Sequence, residues 1–476
     1  MAMWEGAREN SESTEFAGVV KRYKRMLSDE QMGFFDVSDF EYIVDHYIDK
    51  NQLTNALQAC EIAVSQHPYS FVVKVKKAQV LLGQLKIEKA LDLLQMLAKV
   101  ESTNPEILLM LGNCYSLQGE ETKAYDYYRL ADKFSFDDRD EMLYNIGSGY
   151  VQNGDYPRAI VFLEKAYHEN PQNDSVLYDL AFSYDKLGND EKSIHYYNLY
   201  LDIDPFAESA WYNLGIIYTR REEYDKAIDA YDFALAIDEN YSSALFNKAN
   251  TLSTAERYSE ALSCYLDYVR FDKNSSDAHV YIAECYFQLE DYTQAFDYYK
   301  LAIHLDSKNA DGWYGAGIVL MVQENLAESL VFFKKALKLD DTCADFWNAF
   351  GKVNAALDHY EEALVAFKKS VEIEETNPDF WIAFADFYYN YDQLGLAIQT
   401  MFEAEKAVGE NAPILYKLAG YLTEKGETQL ANTYLKNALT LNYSLHPDFL
   451  LDFPGLQSKR WIKKMIGQFA MNDNLW

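Results

Sequence analysis

The sequence lacks the segments that mark a secreted, membrane-spanning or linker-joined protein. Its start has no basic stretch followed by an apolar one, and no run of about 18 apolar residues occurs anywhere. No linker rich in proline, glycine or serine interrupts the 476 residues after the first dozen positions. We therefore expect one continuous, soluble structure located in the cytoplasm.

Cysteine is scarce, and its spacing argues against cysteine-based sites. The five cysteines are odd in number, far apart and without a Cys-x-x-Cys pair. This usage favours a reducing compartment over a disulfide framework or a zinc site. We expect no metal site and interpret the cysteines as small core or surface residues: Cys60, Cys114, Cys264, Cys285 and Cys343.

Basic residues are few relative to acidic ones. The chain has 43 Lys and Arg against 75 Asp and Glu, which gives a formal net charge of −32. Such a charge repels nucleic-acid phosphates and anionic lipid surfaces over the body of the molecule. Direct binding of nucleic acid is therefore not expected.

Motifs of catalysis and cofactor binding are also missing. There is no phosphate-binding loop, no Gly-x-Ser-x-Gly and no His-Glu-x-x-His, and the eight histidines are scattered. The segment YGAGIVLM around Gly315 and Gly317 imitates a nucleotide fingerprint but lies inside a helical pattern with no strand before it. We expect no catalytic residues and no cofactor. An enzyme with an unrecognised site is the weakest of three interpretations.

What the sequence does contain is a repeated pattern. A unit with Trp211, Leu214, Gly215 and Tyr218 recurs every 34 residues or so. Each period has two apolar stripes at helical spacing, separated by a short polar break, and this indicates an antiparallel helix pair. About twelve units begin near Val37, Phe71, Pro105, Asp140, Asp174, Glu208, Ser242, Ser276, Ala310, Ala344, Pro378 and Ala412, and the third has one extra residue near Asp137.

This pattern resembles the tetratricopeptide-repeat family over nearly nine-tenths of the chain. The resemblance implies an all-α fold: a right-handed superhelical solenoid of about twelve antiparallel helix pairs, with helical caps at both ends. The first helix of each pair would face the concave groove. We expect a flexible N-terminus with a basic capping helix over residues 1–36, twelve tandem repeats over 37–445, and a basic amphipathic capping helix over 446–476.

Recurrence also explains most aromatic residues as packing residues. Trp211 and Tyr218 have equivalents in most repeats, so we expect them to be buried in the core rather than to bind a ligand. Tyr200 and Tyr268 depart from the pattern, because other repeats have alanine there. Either the rings lie across the surface or neighbouring repeats tilt apart, and we favour a local change of superhelical twist.

Two columns of the first helices are candidates for a peptide groove. An amide offers a donor and an acceptor together, so amides spaced by one repeat can pair with an extended chain, and related proteins use such asparagine ladders. The other interpretation is that these are common repeat residues, solvated or bonded to the next helix. The candidate groove residues are Tyr144, Asn145, Tyr178, Asp179, Tyr212, Asn213, Phe246 and Asn247.

Four aspartates, one per repeat, form a candidate acidic groove edge. Each falls in the first turn of a helix, where a carboxylate stabilises the helix start, and recruitment of a basic partner segment is the alternative. The four are Asp277, Asp311, Asp345 and Asp379. The carboxylate clamp for a heat-shock chaperone tail is absent, since its lysine column holds Glu41, Val75 and Leu109, and Lys76 and Lys417 stand alone.

The chain ends carry basic amphipathic segments. Their apolar stripes suit capping of the terminal repeats, although such helices also bind membranes or partner grooves. The stripes are Phe16, Val19, Val20, Tyr23, Met26 and Leu27, and Ile462, Met465, Ile466 and Phe469.

The sequence thus predicts a non-enzymatic scaffold that binds an extended peptide or partner protein in its groove. The alternative is a subunit of a larger assembly, joined through the convex face or the basic terminal helices. Self-association is left open.

Overall fold

A computed structural model of the chain describes residues 18–28, 33–135 and 139–473. Within these residues all regular structure is helical, which confirms the all-α prediction. The chain divides into two compact units, residues 1–210 and 211–476. The handedness of the superhelix stays a prediction.

The helices come in antiparallel pairs, and the two helices of each repeat pack against each other. Residues 18–28 form α1. The first helices are α2 (Val37–Asp49), α4 (Phe71–Gly83), α6 (Pro105–Leu117), α8 (Arg139–Gln152), α10 (Asp174–Lys186), α12 (Glu208–Arg220), α14 (Ser242–Thr254), α16 (Ser276–Gln288), α18 (Ala310–Val322), α20 (Ala344–Ala356), α22 (Pro378–Asn390) and α24 (Ala412–Lys425). The second helices are α3 (Leu53–Gln66), α5 (Ile87–Ala98), α7 (Glu121–Phe134), α9 (Tyr156–Glu169), α11 (Asp190–Ile203), α13 (Tyr224–Ile237), α15 (Tyr258–Tyr268), α17 (Tyr292–Leu305), α19 (Leu326–Leu339), α21 (Tyr360–Ile373), α23 (Leu394–Val408) and α25 (Thr428–Leu441).

The first helices begin where the repeat register places them, with one exception. The fourth, α8, begins at Arg139 rather than at Asp140. The extra residue expected near Asp137 lies outside the described residues.

The break between the two helices of a repeat needs a left-handed residue. Glycine supplies it at Gly119 and Gly154, both with φ of 76°, because glycine has no Cβ to clash. Most other repeats put a side-chain-bearing residue there, such as Glu222 with φ of 60°. These breaks therefore accept a conformation that costs a non-glycine residue of order 1 kcal/mol.

Small residues allow the two helices of a pair to approach closely. A Cβ added to Gly215 would lie 2.5 Å from the ring of Tyr231 on the partner helix. Ala227, at the small-residue column of that second helix, is fully buried. Large rings of one helix thus fill the space that small residues of the other leave.

Trp211 and Tyr218 pack less deeply than expected. Both are half-buried side chains against the cluster around Tyr231. Trp211 stacks on Phe233 with ring centroids 4.5 Å apart, and Phe233 itself is 53% exposed. The packing role is confirmed, but full burial in the core is wrong, because these rings lie at the edge of the helix pair.

The unusual Tyr200 and Tyr268 contact rings of their own first helix. Tyr200 lies 5.4 Å from Tyr178, and Tyr268 lies 4.9 Å from Phe246, between ring centroids. Both tyrosines are half-buried. Each ring is thus held by aromatic packing, and the change of twist stays a prediction.

An ionic cluster joins the third and fourth repeats. Asp132, which is 8% exposed, accepts from Lys165 Nζ at 2.6 Å and from Arg139 Nη2 at 2.8 Å. Arg139 also binds Glu169 at 2.6 Å. Burial alone would raise the pKa of Asp132, but these hydrogen bonds outweigh it and the pKa is lowered. The sequence pattern did not predict this cluster.

The C-terminal segment is more broken than the single helix expected for residues 446–476. It comprises α26 (His446–Asp452), a short 3-10 segment (Pro454–Ser458) and α27 (Arg460–Asp473). Ile462 is fully buried, and the other predicted stripe residues pack against the same cluster as Leu435 and Leu439. Three further buried residues were not predicted: Phe449, Phe453 and Leu456.

At the N-terminal end, α1 packs on the first repeat. Tyr23 is fully buried, with its ring 5.9 Å from Phe35 and 6.4 Å from Phe40. Leu27, predicted in the apolar stripe, is instead 38% exposed. Phe16 and the predicted flexible start lie outside the described residues.

Candidate functional site

The predicted aromatic and amide columns fall partly in residues 1–210. Tyr144 is half-buried and Asn145 is exposed. Tyr178 is half-buried against the rings of Tyr197 and Tyr200. Asp179 is half-buried, and burial raises its pKa although a hydrogen bond from Ser148 opposes the shift.

Asn145 lines a large cleft on the first-helix face of this unit. The cleft has a volume of about 970 Å³ and lies along α4, α6 and α8. Its walls are rich in uncharged polar side chains, most of which the sequence columns did not predict. These are Gln79, Asn113, Ser116, Ser135, Asn145, Ser148, Gln152 and Asn153, and the carboxylates of Glu106 and Glu141 also line the cleft.

In residues 211–476 the same columns are engaged within the protein. Asn247 Nδ2 donates to the hydroxyl of Tyr212 at 3.0 Å. Phe246 packs edge-on against Tyr265 and Tyr281, and Asn213 is half-buried. At Asn247 the amide is bonded to the neighbouring first helix, as the alternative interpretation of this column expected.

The four predicted aspartates lie in the first turns of α16, α18, α20 and α22. Asp277 accepts from Asn309 Nδ2 at 2.8 Å. Asp311 and Asp345 line a second cleft, whereas Asp277 and Asp379 do not. Burial, followed by neighbouring carboxylates, raises the pKa of both Asp311 and Asp345. The helix-start position is thus observed for all four.

This second cleft has a volume of about 490 Å³ and contains a carboxylate that the sequence columns missed. Glu284 of α16 is solvent-exposed, yet the surrounding cleft walls disfavour its charge and raise its pKa to about 7, with Asp311 adding to the shift. Glu284 falls one repeat after Asn250 in the sequence, but this column was not among the predicted groove columns.

The two isolated lysines of the groove columns are ion-paired. Lys76 Nζ lies 2.6 Å from Asp45. Lys417 Nζ lies 2.9 Å from Asp386 and 3.0 Å from Asp452. Lys76 and Lys417 are therefore held by carboxylates of adjacent segments, and the absence of a carboxylate clamp stays a prediction.

The described residues contain neither a membrane-spanning helix nor a cluster of metal ligands. None of the helices there has the length and apolar character needed to cross a membrane. Nor do three or more His, Cys, Asp or Glu side chains in that part of the chain come together as metal ligands.

Comparison with known proteins identifies the repeats. Tetratricopeptide-repeat models match residues 150–214, 209–241, 246–310 and 344–377, and the model of the Psidin N-terminal TPR repeats region matches 44–161. The general transcriptional corepressor ssn6 of Schizosaccharomyces pombe is 32% identical over 105 residues, which is 22% of this chain and 10% of the corepressor. The chain thus spans about a tenth of that relative's length.

Two solved structures match this chain at low sequence identity. The Cut9–Hcn1 hetero-tetramer of the APC/C matches with a TM-score of 0.43 at 14% identity, over 87% of this chain and 95% of that one. A tetratricopeptide-repeat protein from Parabacteroides merdae matches with a TM-score of 0.42 at 13% identity, over 55% of this chain and 98% of that one. The repeat register, the helix pairs and the family models together show that the chain belongs to the tetratricopeptide-repeat family.

Proposed function

We propose that this chain is a non-enzymatic scaffold that captures an extended segment of a partner polypeptide on its first-helix face. The observation that carries the proposal is the amide-lined cleft of about 970 Å³ in residues 1–210. An extended peptide presents unpaired backbone N–H and C=O groups, and an amide side chain can satisfy one of each. Uncharged amides bind a backbone without demanding a particular side chain.

Asn145 is the best probe of this cleft. It is exposed, and it makes no hydrogen bond within the described part of the chain. Asn113, by contrast, accepts from the hydroxyl of Tyr128 at 2.8 Å, so its removal would disturb packing. A change at Asn145 therefore reports on ligand binding rather than on stability.

The test has two stages. A photo-crosslinking amino acid replaces the exposed Gln152, and mass spectrometry identifies the segment captured in the native cell. A labelled synthetic copy of that segment is then titrated against wild type, Asn145→Ala and Asn198→Ala, where Asn198 is an exposed amide of the second helix α11. Because Asn145→Ala loses one amide hydrogen bond to the peptide, we expect it to bind roughly five- to tenfold more weakly than wild type, and Asn198→Ala to bind like wild type. Equal affinity of all three proteins would contradict the proposal.

The proposed compartment is the cytoplasm, and the proposal involves no cofactor. All five cysteines are free, and Cys60, Cys114 and Cys285 are buried. Free thiols suit a reducing environment.

A further inference from the structure

The second cleft, in residues 211–476, is lined by three carboxylates, one more than the first cleft, where Glu106 and Glu141 line the wall. It lies along α14, α16, α18 and α20, and the described residues that line it include three carboxylates but no lysine or arginine. The carboxylates belong to Glu284, Asp311 and Asp345. Aromatic rings form much of the remaining wall, contributed by Tyr258, Phe287, Tyr299, Tyr314 and Phe346.

The three carboxylates have no cation to balance them. None forms a salt bridge within the described part of the chain. Lys352 lowers the pKa of Asp345, but this effect is outweighed by burial and by Glu374. Glu284 and Asp311 lie close enough for the charge of Asp311 to raise the pKa of Glu284, and such repulsion costs free energy unless a cation binds.

The floor of the cleft lacks a tyrosine–asparagine hydrogen bond that other repeats have at the same two positions. In the third repeat the hydroxyl of Tyr128 donates to Asn113 at 2.8 Å, and in the seventh Tyr265 donates likewise to Asn250. Tyrosine and glutamate occupy the equivalent positions in the eighth repeat, at Tyr299 and Glu284. These two form no hydrogen bond with each other or with another described residue.

Tyr299 reaches the cleft because Gly315 has no side chain. A Cβ at Gly315 would lie 2.1 Å from the Tyr299 ring and 2.7 Å from its hydroxyl oxygen. Tyr299 is 4% exposed, and its side chain is among those that line the cleft. A buried ring therefore presents an unpartnered hydroxyl at the floor, next to an unpaired carboxylate.

We propose that this cleft binds a cationic side chain, lysine or arginine, from the extended partner segment, an inference that rests on the proposed function. The cation would be held by Glu284 with Asp311 and Asp345, and the hydroxyl of Tyr299 would accept from it. The aliphatic stem of lysine or arginine would pack on Phe287, Tyr314 and Phe346. A metal ion is the poorer occupant, because these carboxylates do not form a metal-ligand group in the structure.

The experiment uses the full chain and labelled peptides at physiological salt. One peptide is a ten-residue Gly/Ser sequence with two lysines, and its matched control has glutamates in their place. Binding is measured by fluorescence anisotropy for wild type, Glu284→Gln, Tyr299→Phe and Glu328→Gln. Glu328 lies exposed on the second helix α19, so its variant removes the same charge away from the cleft.

The lysine peptide should bind wild type and the glutamate peptide should not. We expect Glu284→Gln to weaken binding about tenfold and Tyr299→Phe about threefold, with Glu328→Gln within about twofold of wild type. Circular dichroism melting shows whether each variant is folded. Equal weakening by Glu284→Gln and Glu328→Gln would overturn the inference, because attraction by the overall negative charge would then suffice.

Competition with spermidine and Mg²⁺ tests whether the cleft prefers a small cation to a lysine side chain. If spermidine or Mg²⁺ binds wild type more tightly than the lysine peptide does, and Glu284→Gln abolishes that binding, the cleft is a site for a small cation and the peptide inference is overturned.

The photo-crosslinked segment distinguishes the two proposals. If that segment binds wild type and Glu284→Gln equally but is weakened by Asn145→Ala, the scaffold proposal stands and the inference fails. If no segment is captured, the scaffold proposal itself fails.

Discussion

The ring of Phe453 occupies the space that a side chain at position 420 would need. A Cβ at Gly420 would lie 2.2 Å from the nearest Phe453 ring carbon. Phe453 is 2% exposed and packs edge-on against Tyr421, with ring centroids 5.3 Å apart. The C-terminal segment is therefore docked on the final repeat by a ring seated over a glycine of α24.

Gly420→Ala should displace this ring and destabilise the C-terminal end. The clash exceeds the gain in helix propensity, and we expect a loss of about 1–3 kcal/mol in chemical denaturation. Gly467→Ala is the matched control, since Gly467 lies in α27 with nothing within 4 Å of its added Cβ. The control should be neutral or stabilising by up to about 1 kcal/mol. A Gly420→Ala protein as stable as the control would show that Phe453 does not anchor the segment.

Removal of the chain after Leu445 should cause self-association at any salt concentration. The truncation uncovers the apolar face of the final repeat and removes the buried side chains of Phe449, Phe453 and Ile462. Each large apolar side chain contributes about 1.5–3 kcal/mol on burial, so packing dominates over charge. The basic residues of the segment, Lys459, Arg460, Lys463 and Lys464, are exposed. Analytical ultracentrifugation at low and high salt measures the effect, and a monomer at both would contradict capping.

Sequence periodicity predicted the helix pairs well because packing imposes it on every repeat. The degree of burial of the Trp211 side chain was not predictable, because it depends on stacking against Phe233, which is itself largely exposed. The carboxylate cleft escaped prediction for a related reason. The cleft is formed by Glu284, Tyr299 and Gly315, which belong to two successive repeats. These residues fall in different columns of the repeat pattern, so no single column predicts the cleft.

Replacement of Trp211 and of Trp381 by alanine should give unequal losses of stability. Trp381 is 9% exposed, and its indole N–H donates to the carbonyl of Glu375 at 2.7 Å, whereas Trp211 is half-buried. We expect Trp381→Ala to cost about 3–5 kcal/mol and Trp211→Ala about 2 kcal/mol, since less area is lost from the half-buried ring. Urea denaturation of the two variants measures this difference. The opposite order would mean that the edge stack on Phe233 is stronger than its burial implies.

Asp132→Asn should destabilise the junction of the third and fourth repeats. The variant leaves Lys165 and Arg139 without their shared buried partner, and removal of one member of such a cluster costs about 2–4 kcal/mol. Because the pKa of Asp132 is lowered in the folded protein, its contribution is present above the ordinary carboxyl pKa and is lost as pH falls through the lowered value. The wild-type advantage in thermal melting should therefore shrink in acid. An advantage that does not depend on pH would assign the loss to packing instead.

Glu284→Gln should change the pH dependence of stability in the opposite sense to Asp132→Asn. The pKa of Glu284 is raised to about 7 in the folded protein, so its proton is held more tightly there than in the unfolded chain. The stability linked to this proton is fully present below the ordinary glutamate pKa and is lost as pH rises through about 7. Glutamine does not titrate, so the variant should match wild type near pH 5 and be more stable near pH 8, by about 1 kcal/mol or less because solvent screens an exposed carboxylate. Denaturation at several pH values, with Glu328→Gln as the control, measures the difference. If Glu284→Gln is no more stable than wild type near pH 8, the cleft does not disfavour the charge of this carboxylate.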